Sequence, residues 1–214
     1  MSNDIDARDY LGQTRLMQCA TEDRNDDMLL FVRAKVALDA VDPNGSSAVM
    51  FSTLRGNRKC LRTLIAAGAD VNMASRNGFT AVGIAAAMGH IECLKLLISA
   101  KADVNKQLGS KDSKPSVASF HAAKNGHSEC LKLLIAAKAD VHWTRPLSEN
   151  EVWCSLECAN LIHADCSKDQ TECIRLLIAE KVDVNKARSD WATPIQCTKN
   201  SNCVELLKAA GARL

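Results

Sequence analysis

The chain has 214 residues, 47% of them hydrophobic but only 4% aromatic, and a formal net charge of +2. That length admits one or two globular domains, and so small a net charge gives no global field to recruit nucleic acid or an anionic membrane. No apolar run approaches the roughly 20 residues of a membrane span, and the opening Met1-Ser-Asn-Asp-Ile-Asp6 is too polar for a secretory signal. The sequence therefore predicts an intracellular protein, cytoplasmic or nuclear.

Residues 1–8 form a polar lead, and from Asp9 onward the chain repeats itself. Gly12, Gly45 and Gly78 are evenly spaced along it. The phrase Cys60-Leu-Arg-Thr-Leu-Ile-Ala-Ala-Gly-Ala-Asp-Val-Asn72 returns at Cys93–Asn105, Cys130–His142 and Cys173–Asn185, with a worn copy at Cys203–Ala212. Its aspartates Asp70 and Asp103 keep the glycine interval, and Asp140 and Asp183 follow at slightly longer ones. A period of about 33 residues marks a stacked array in which no unit buries its apolar face alone.

The first unit, Gly12-Gln-Thr-Arg-Leu-Met-Gln-Cys-Ala20, carries an acidic link from Glu22 to Asp27. Residues 1–42 hold 5 basic and 9 acidic side chains. This composition predicts a solvent-facing cap, with exposed apolar anchors concentrated in later units. In the third unit, Ala81–Met88 reads as a short Ala-rich helix closed by Gly89. Cys93-Leu-Lys-Leu-Leu-Ile98 then gives a broad apolar helical face with Lys95 outside. The tip Ser75-Arg-Asn-Gly78 favours a hairpin-like turn. Glycine after this second helix, present at Gly68, is replaced by Lys101, Lys138 and Lys181. A left-handed backbone there would cost each lysine about 1 kcal/mol relative to glycine.

These residues resemble the ankyrin repeat, whose motif runs G-x-T-P-L-H-x-A-A-x-x-G-H, then an apolar helix, then G-A-D-V-N. Gly78-Phe-Thr-Ala-Val-Gly-Ile-Ala-Ala-Ala-Met-Gly-His90 matches it best; Thr193-Pro-Ile-Gln196, Ile162-His163 and Asn125-Gly-His127 match in part. The resemblance implies an all-α solenoid of about six stacked helix-turn-helix repeats with projecting β-hairpin-like fingers. The array would be a single domain over 9–214, with units near 9–41, 42–74, 75–106, 107–142, 143–187 and 188–214. The fourth unit carries about 4 extra residues around Gly109–Pro115, and the fifth about 10 between His142 and Asn160.

The ten cysteines argue for packing rather than cross-linking, because Cys60, Cys93, Cys130, Cys173 and Cys203 share one repeating position. Layers about 10 Å apart exceed the roughly 7 Å that a disulfide spans between Cα atoms. Reduced thiols fit the cytosol or nucleus. No nucleophile elbow or phosphate loop occurs, and His90, His127, His163, His142 and His121 all have structural explanations or lack a partner pattern. No catalytic residue and no cofactor is assigned. Cys154, Cys158, His163 and Cys166 have the composition of a tetrahedral zinc site, but they lack a tight C-x-x-C pair, and His163 and Cys166 have repeat positions of their own; no metal ligand is assigned. Glu92/Lys95, Glu129/Lys132 and Glu172/Arg175 read as ion pairs on a solvated outer face.

The resemblance implies a non-enzymatic module that binds another protein through its finger tips and concave inner-helix face. Residues that differ from unit to unit at those places are Arg76, Asn77, Phe79, Met88, Lys124, Asn125, Lys168, Asp190 and Trp191. Trp143 and Trp153 join them as candidate anchors, or else bury themselves as a small core of the insert. A metal-binding or regulatory activity centred on the 143–166 insert is the alternative function.

Overall fold

The computed structural model describes residues 7–109, 116–143, 171–186, 193–198 and 200–213. Within them lie α1 (Arg15–Glu22), α2 (Asn25–Arg33), α3 (Ala48–Arg55), α4 (Arg58–Ala66), α5 (Ala81–Met88), α6 (Ile91–Ser99), α7 (Ala118–Lys124) and α8 (Ser128–Ala136), followed by α9 (Thr171–Ala179), α10 (Pro194–Cys197) and α11 (Ser201–Ala209). Short inner helices alternate with outer ones. The inner row packs α1 on α3 on α5 on α7, and the outer row packs α2 on α4 on α6 on α8 on α9 on α11. This is the expected all-α solenoid.

Local chemistry sets each boundary. Thr14 Oγ1 accepts the Met17 N–H at the start of α1, and Thr80 Oγ1 accepts the Gly83 N–H at the start of α5. The inner helices α1, α3 and α5 end on a left-handed residue, Asp23, Gly56 and Gly89 respectively. Each outer helix closes with a left-handed residue one step beyond its cap: Lys35, Gly68, Lys101, Lys138, Lys181 and Gly211. The next N–H reaches five residues back, as from Ala69 to Leu64 O (3.1 Å) and from Ala102 to Leu97 O (3.0 Å). The lysines at 101, 138 and 181 therefore do stand in left-handed geometry, at φ 59°, 62° and 60°.

The repeated phrase is the core. Leu64, Leu97, Leu134, Leu177 and Leu207 have no exposed surface, and Cys60, Cys93, Cys130, Cys173 and Cys203 pack beside them. Burial pushes the Cys60 thiol up to about 12, and Cys93 and Cys130 up to about 11. They stay protonated and unreactive as small apolar side chains.

The Asp-Val-Asn segment ties layers together. Asp70 Oδ1 accepts the Asn72 N–H within its own turn (2.7 Å), and Asn72 Oδ1 accepts the Asp103 N–H of the next layer (2.8 Å). Asn105 repeats the link to the Asp140 N–H (2.7 Å), and Asn185 to the Arg213 N–H (2.8 Å). The fingers are held by single antiparallel bridges, Arg8 to Thr14, Val41 to Ser47, Ala74 to Thr80 and Leu108 to Ser116. The last bridge joins residues two positions further apart in sequence than the other three do.

Candidate partner-binding surface

A helix in this array can offer a partner only what stacking leaves uncovered. Arg76 and Asn77 are exposed at a finger tip whose backbone is fixed, because the Arg76 N–H donates to Asn44 O of the neighbouring finger at 2.8 Å. Phe79 is 45% exposed and follows on the same finger, its N–H held by Ser75 Oγ (3.1 Å). Met88, 51% exposed, ends α5. These four are presented on a rigid frame, which limits the entropy lost on binding.

Other sequence candidates are partly engaged. Asn125 is exposed, but its Nδ2 donates to Ala87 O of the preceding layer (2.9 Å). Lys124 is half-buried with its ammonium 5.9 Å from the Phe120 ring centre. Trp143 is corrected. It is buried, with its ring 5.8 Å from Phe120 at 59°, so it completes the packing over α7 rather than facing a partner. Trp153, Lys168, Asp190 and Trp191 lie outside the described residues, as do Cys154, Cys158, His163 and Cys166. Among the described residues no group of three or more His, Cys, Asp or Glu side chains is placed to hold a metal ion.

Of the apolar anchors expected in units three to six, Phe79 and Met88 are exposed, and Trp153 and Trp191 lie outside the described residues. Among the described residues the exposed large apolar side chains are Tyr10, Leu11, Leu29, Leu30, Leu54, Phe79 and Met88, all in the first three helix pairs and their fingers. Leu54 extends the inner-helix surface, since near the end of α3 it holds the position that Ala87 holds one repeat later in α5. That register was visible in the sequence and would have found it. The first pair is polar at Arg15, Gln18 and Asp27 but leaves Leu30 62% exposed.

The histidines of the links bond backbone. His90 Nε2 is 3.2 Å from Leu54 O and His127 Nε2 is 3.1 Å from Ala87 O, which puts the ring N–H on a carbonyl of the preceding layer. Each ring lies over a glycine of that layer: a Cβ at Gly89 would come within 2.7 Å of the His127 ring. Burial, followed by the nearby Lys124 charge, lowers the pKa of His121, whose Nε2 meets Ser116 Oγ at 2.9 Å. On the outer face Lys95 donates to Glu92 (2.8 Å), and Arg58 reaches the same carboxylate from the layer before (3.4 Å). Lys95 first, through its hydrogen bond, holds the Glu92 carboxyl below its ordinary range.

The family model described as ankyrin repeats (3 copies) matches residues 16–107 and 119–214. No curated protein sequence matches the chain. Among solved structures, the human ASB11 ankyrin repeat domain is similar at 22% identity and TM-score 0.79, over 94% of this chain and 86% of that one. The ankyrin repeat domain of Bcl-3, a member of the IkappaB protein family, is similar at 20% identity and TM-score 0.77, over 96% and 86%. An ankyrin repeat domain from Acinetobacter baumannii AYE is similar at 26% identity and TM-score 0.75, over 92% and 98%. Among the described residues no helix is long and apolar enough to cross a membrane.

Proposed function

Because this chain belongs to the ankyrin-repeat family, whose domains are generally protein–protein interaction modules, we propose that it is a non-enzymatic module binding another protein through its finger tips and the ends of its inner helices. The observation that supports this reading is a division of labour. The phrases that repeat from layer to layer are buried, whereas Arg76, Asn77, Phe79 and Met88, which differ between layers, are exposed on a fixed frame. Phe79, Met88 and Leu54 supply the apolar area that dominates interface energetics, and Arg76 and Asn77 supply the polar rim. The finger tip and the inner-helix ends lie on consecutive layers, so one partner can span them. Buried, free thiols at Cys19, Cys60, Cys93 and Cys130 suit a partner met in the reducing cytoplasm or nucleus.

Affinity purification with the full chain, compared with its Phe79→Ala and Met88→Ala variants, tests this. Both residues are exposed, so the variants keep the fold. The expected result is one specific protein partner whose affinity falls about thirtyfold in at least one variant, which corresponds to about 2 kcal/mol. A partner held equally by both variants and by Arg76→Ala overturns this placement.

A further inference from the structure

The ends of the inner helices carry an apolar strip confined to two layers. Asp23, Gly56, Gly89 and Gly126 are the left-handed residues that follow α1, α3, α5 and α7, and they set a common register. In that register the half-buried Phe51 and Ile84 correspond to Gln18 in the first layer and His121 in the fourth. Leu54 lies one helical turn beyond Phe51, and Met88 one turn beyond Ile84, so each pair shares a helix face. Both are exposed, as is Phe79 on the adjoining finger. The apolar surface stops on either side, at Gln18 and Glu22 before it and at His121 and Asn125 after it.

Two cations beside this strip are left without a counter-charge. Arg55, next to Leu54, and Arg76, on the finger of Phe79, are exposed and form no ion pair with any described residue. By contrast, Arg58 and Lys95 on the outer face share the Glu92 carboxylate, and Glu22 is matched by Arg24 at 2.9 Å. The nearby Asp42 carboxylate is buried and turned onto backbone, its Oδ1 accepting the Asn44 and Ser46 N–H groups at 2.9 and 2.7 Å. Arg76 is held in place as well. Its Cγ lies 3.4 Å from where a Cβ on Gly45 would stand, so its stem rests on the preceding finger. A charge fixed in this way loses little freedom when it is paired.

We propose that this strip takes an acidic segment of another protein, whose apolar side chains cover Leu54, Phe79 and Met88 while its carboxylates pair with Arg55 and Arg76. The inference rests on the partner-binding surface proposed above and specifies the chemistry of what that surface takes. Apolar anchors supply the affinity, and the two arginines supply orientation and encounter rate. A nucleic acid would need a row of cations along its phosphates. Here two arginines border aliphatic side chains that offer a phosphate nothing.

Selection of random short peptides displayed on phage, against the immobilised full chain, tests the proposal. The expected result is a set of peptides rich in Asp and Glu around Leu, Ile, Phe or Trp. One such peptide, made synthetically and followed by fluorescence anisotropy, should bind the Arg55→Glu/Arg76→Glu double variant at least about tenfold more weakly. Its affinity for the parent chain should fall as salt is raised. Exchanging its acidic residues for lysine should abolish binding to the parent and restore it to the double variant, a rescue that an unfolded variant cannot give. Basic or uncharged selected peptides, no selected peptide, or tighter binding of single-stranded poly-uridylate that needs both arginines each overturns it. A peptide that depends on Phe79 but on neither arginine overturns the acidic chemistry alone and leaves the interaction surface proposed above standing.

Discussion

Leu97 and Phe31 hold the same position in outer helices two repeats apart, yet they meet opposite surroundings. Leu97 has no exposed surface, whereas the larger Phe31 is only partly covered. The same contrast sets buried Ala48 against exposed Arg15 at the start of α3 and α1. Burial here is thus a property of the layer in front of a residue as much as of the residue itself. In an array stabilised largely by contacts between nearest neighbours, an end layer gains from one neighbour and an interior layer from two.

Paired truncations sharpen that comparison. Leu97→Ala should cost about 2–5 kcal/mol, the usual range for a leucine cavity in a core that cannot collapse. Phe31→Ala removes more atoms but should cost less, about 1–2 kcal/mol, because water already reaches its ring. Urea denaturation of the two variants beside the parent chain reads both. Equal losses would break the comparison, since they would mean that the first pair is as well supported as the third.

A second contrast separates two left-handed glycines. Gly89 (φ 74°) has the His127 ring against the place a Cβ would occupy, while Gly68 (φ 90°) has open space within 4 Å. Gly68→Ala should therefore cost about 1 kcal/mol, from the left-handed backbone alone. Gly89→Ala should cost about 2–4 kcal/mol, because the ring must also move and its bond to Ala87 O at 3.1 Å is disturbed. Urea midpoints for the two variants, side by side, provide the check. Equal costs would show that His127 gives way freely.

Much of this was legible beforehand, for a physical reason. A helix-turn-helix layer that recurs must bury the same positions each time, so the Cys and Leu columns marked the core without any structure. Gly68 likewise showed the backbone that Lys101 and Lys138 would adopt. Trp143 was not legible. The sequence left it as either a partner anchor or part of the insert's own core; it is buried with its ring on Phe120 of α7, a neighbour set by folding, and the insert lies outside the described residues. Leu30 and Tyr10 were missed because the acidic residues around them suggested a finished cap. Composition averages over a helix; exposure depends on which side of it another layer covers. The register that relates Leu30 to Thr63, and Tyr10 to Pro43, held the missing signal.

The smallest expected effect lies at the left-handed lysines, where two opposing terms nearly cancel. Lys101 (φ 59°) and Lys138 (φ 62°) bear the steric cost of a Cβ in the left-handed region, about 1 kcal/mol each. Replacing either with glycine removes that cost but enlarges the conformational freedom of the unfolded chain, an opposing effect of about 0.4–1 kcal/mol. The closing bonds survive the change because they are made by backbone: Ala102 N–H to Leu97 O at 3.0 Å, and Ala139 N–H to Leu134 O at 2.9 Å. The link from Asn105 Nδ2 to Lys138 O also uses a carbonyl that glycine retains. Lys101→Gly and Lys138→Gly should therefore be neutral or stabilising by up to about 1 kcal/mol each. Urea midpoints measured against the parent chain decide it. Clear destabilisation in both would mean that the lysine stems cover apolar surface at the ends of α6 and α8, and that the side chain rather than the backbone sets the energy of this turn.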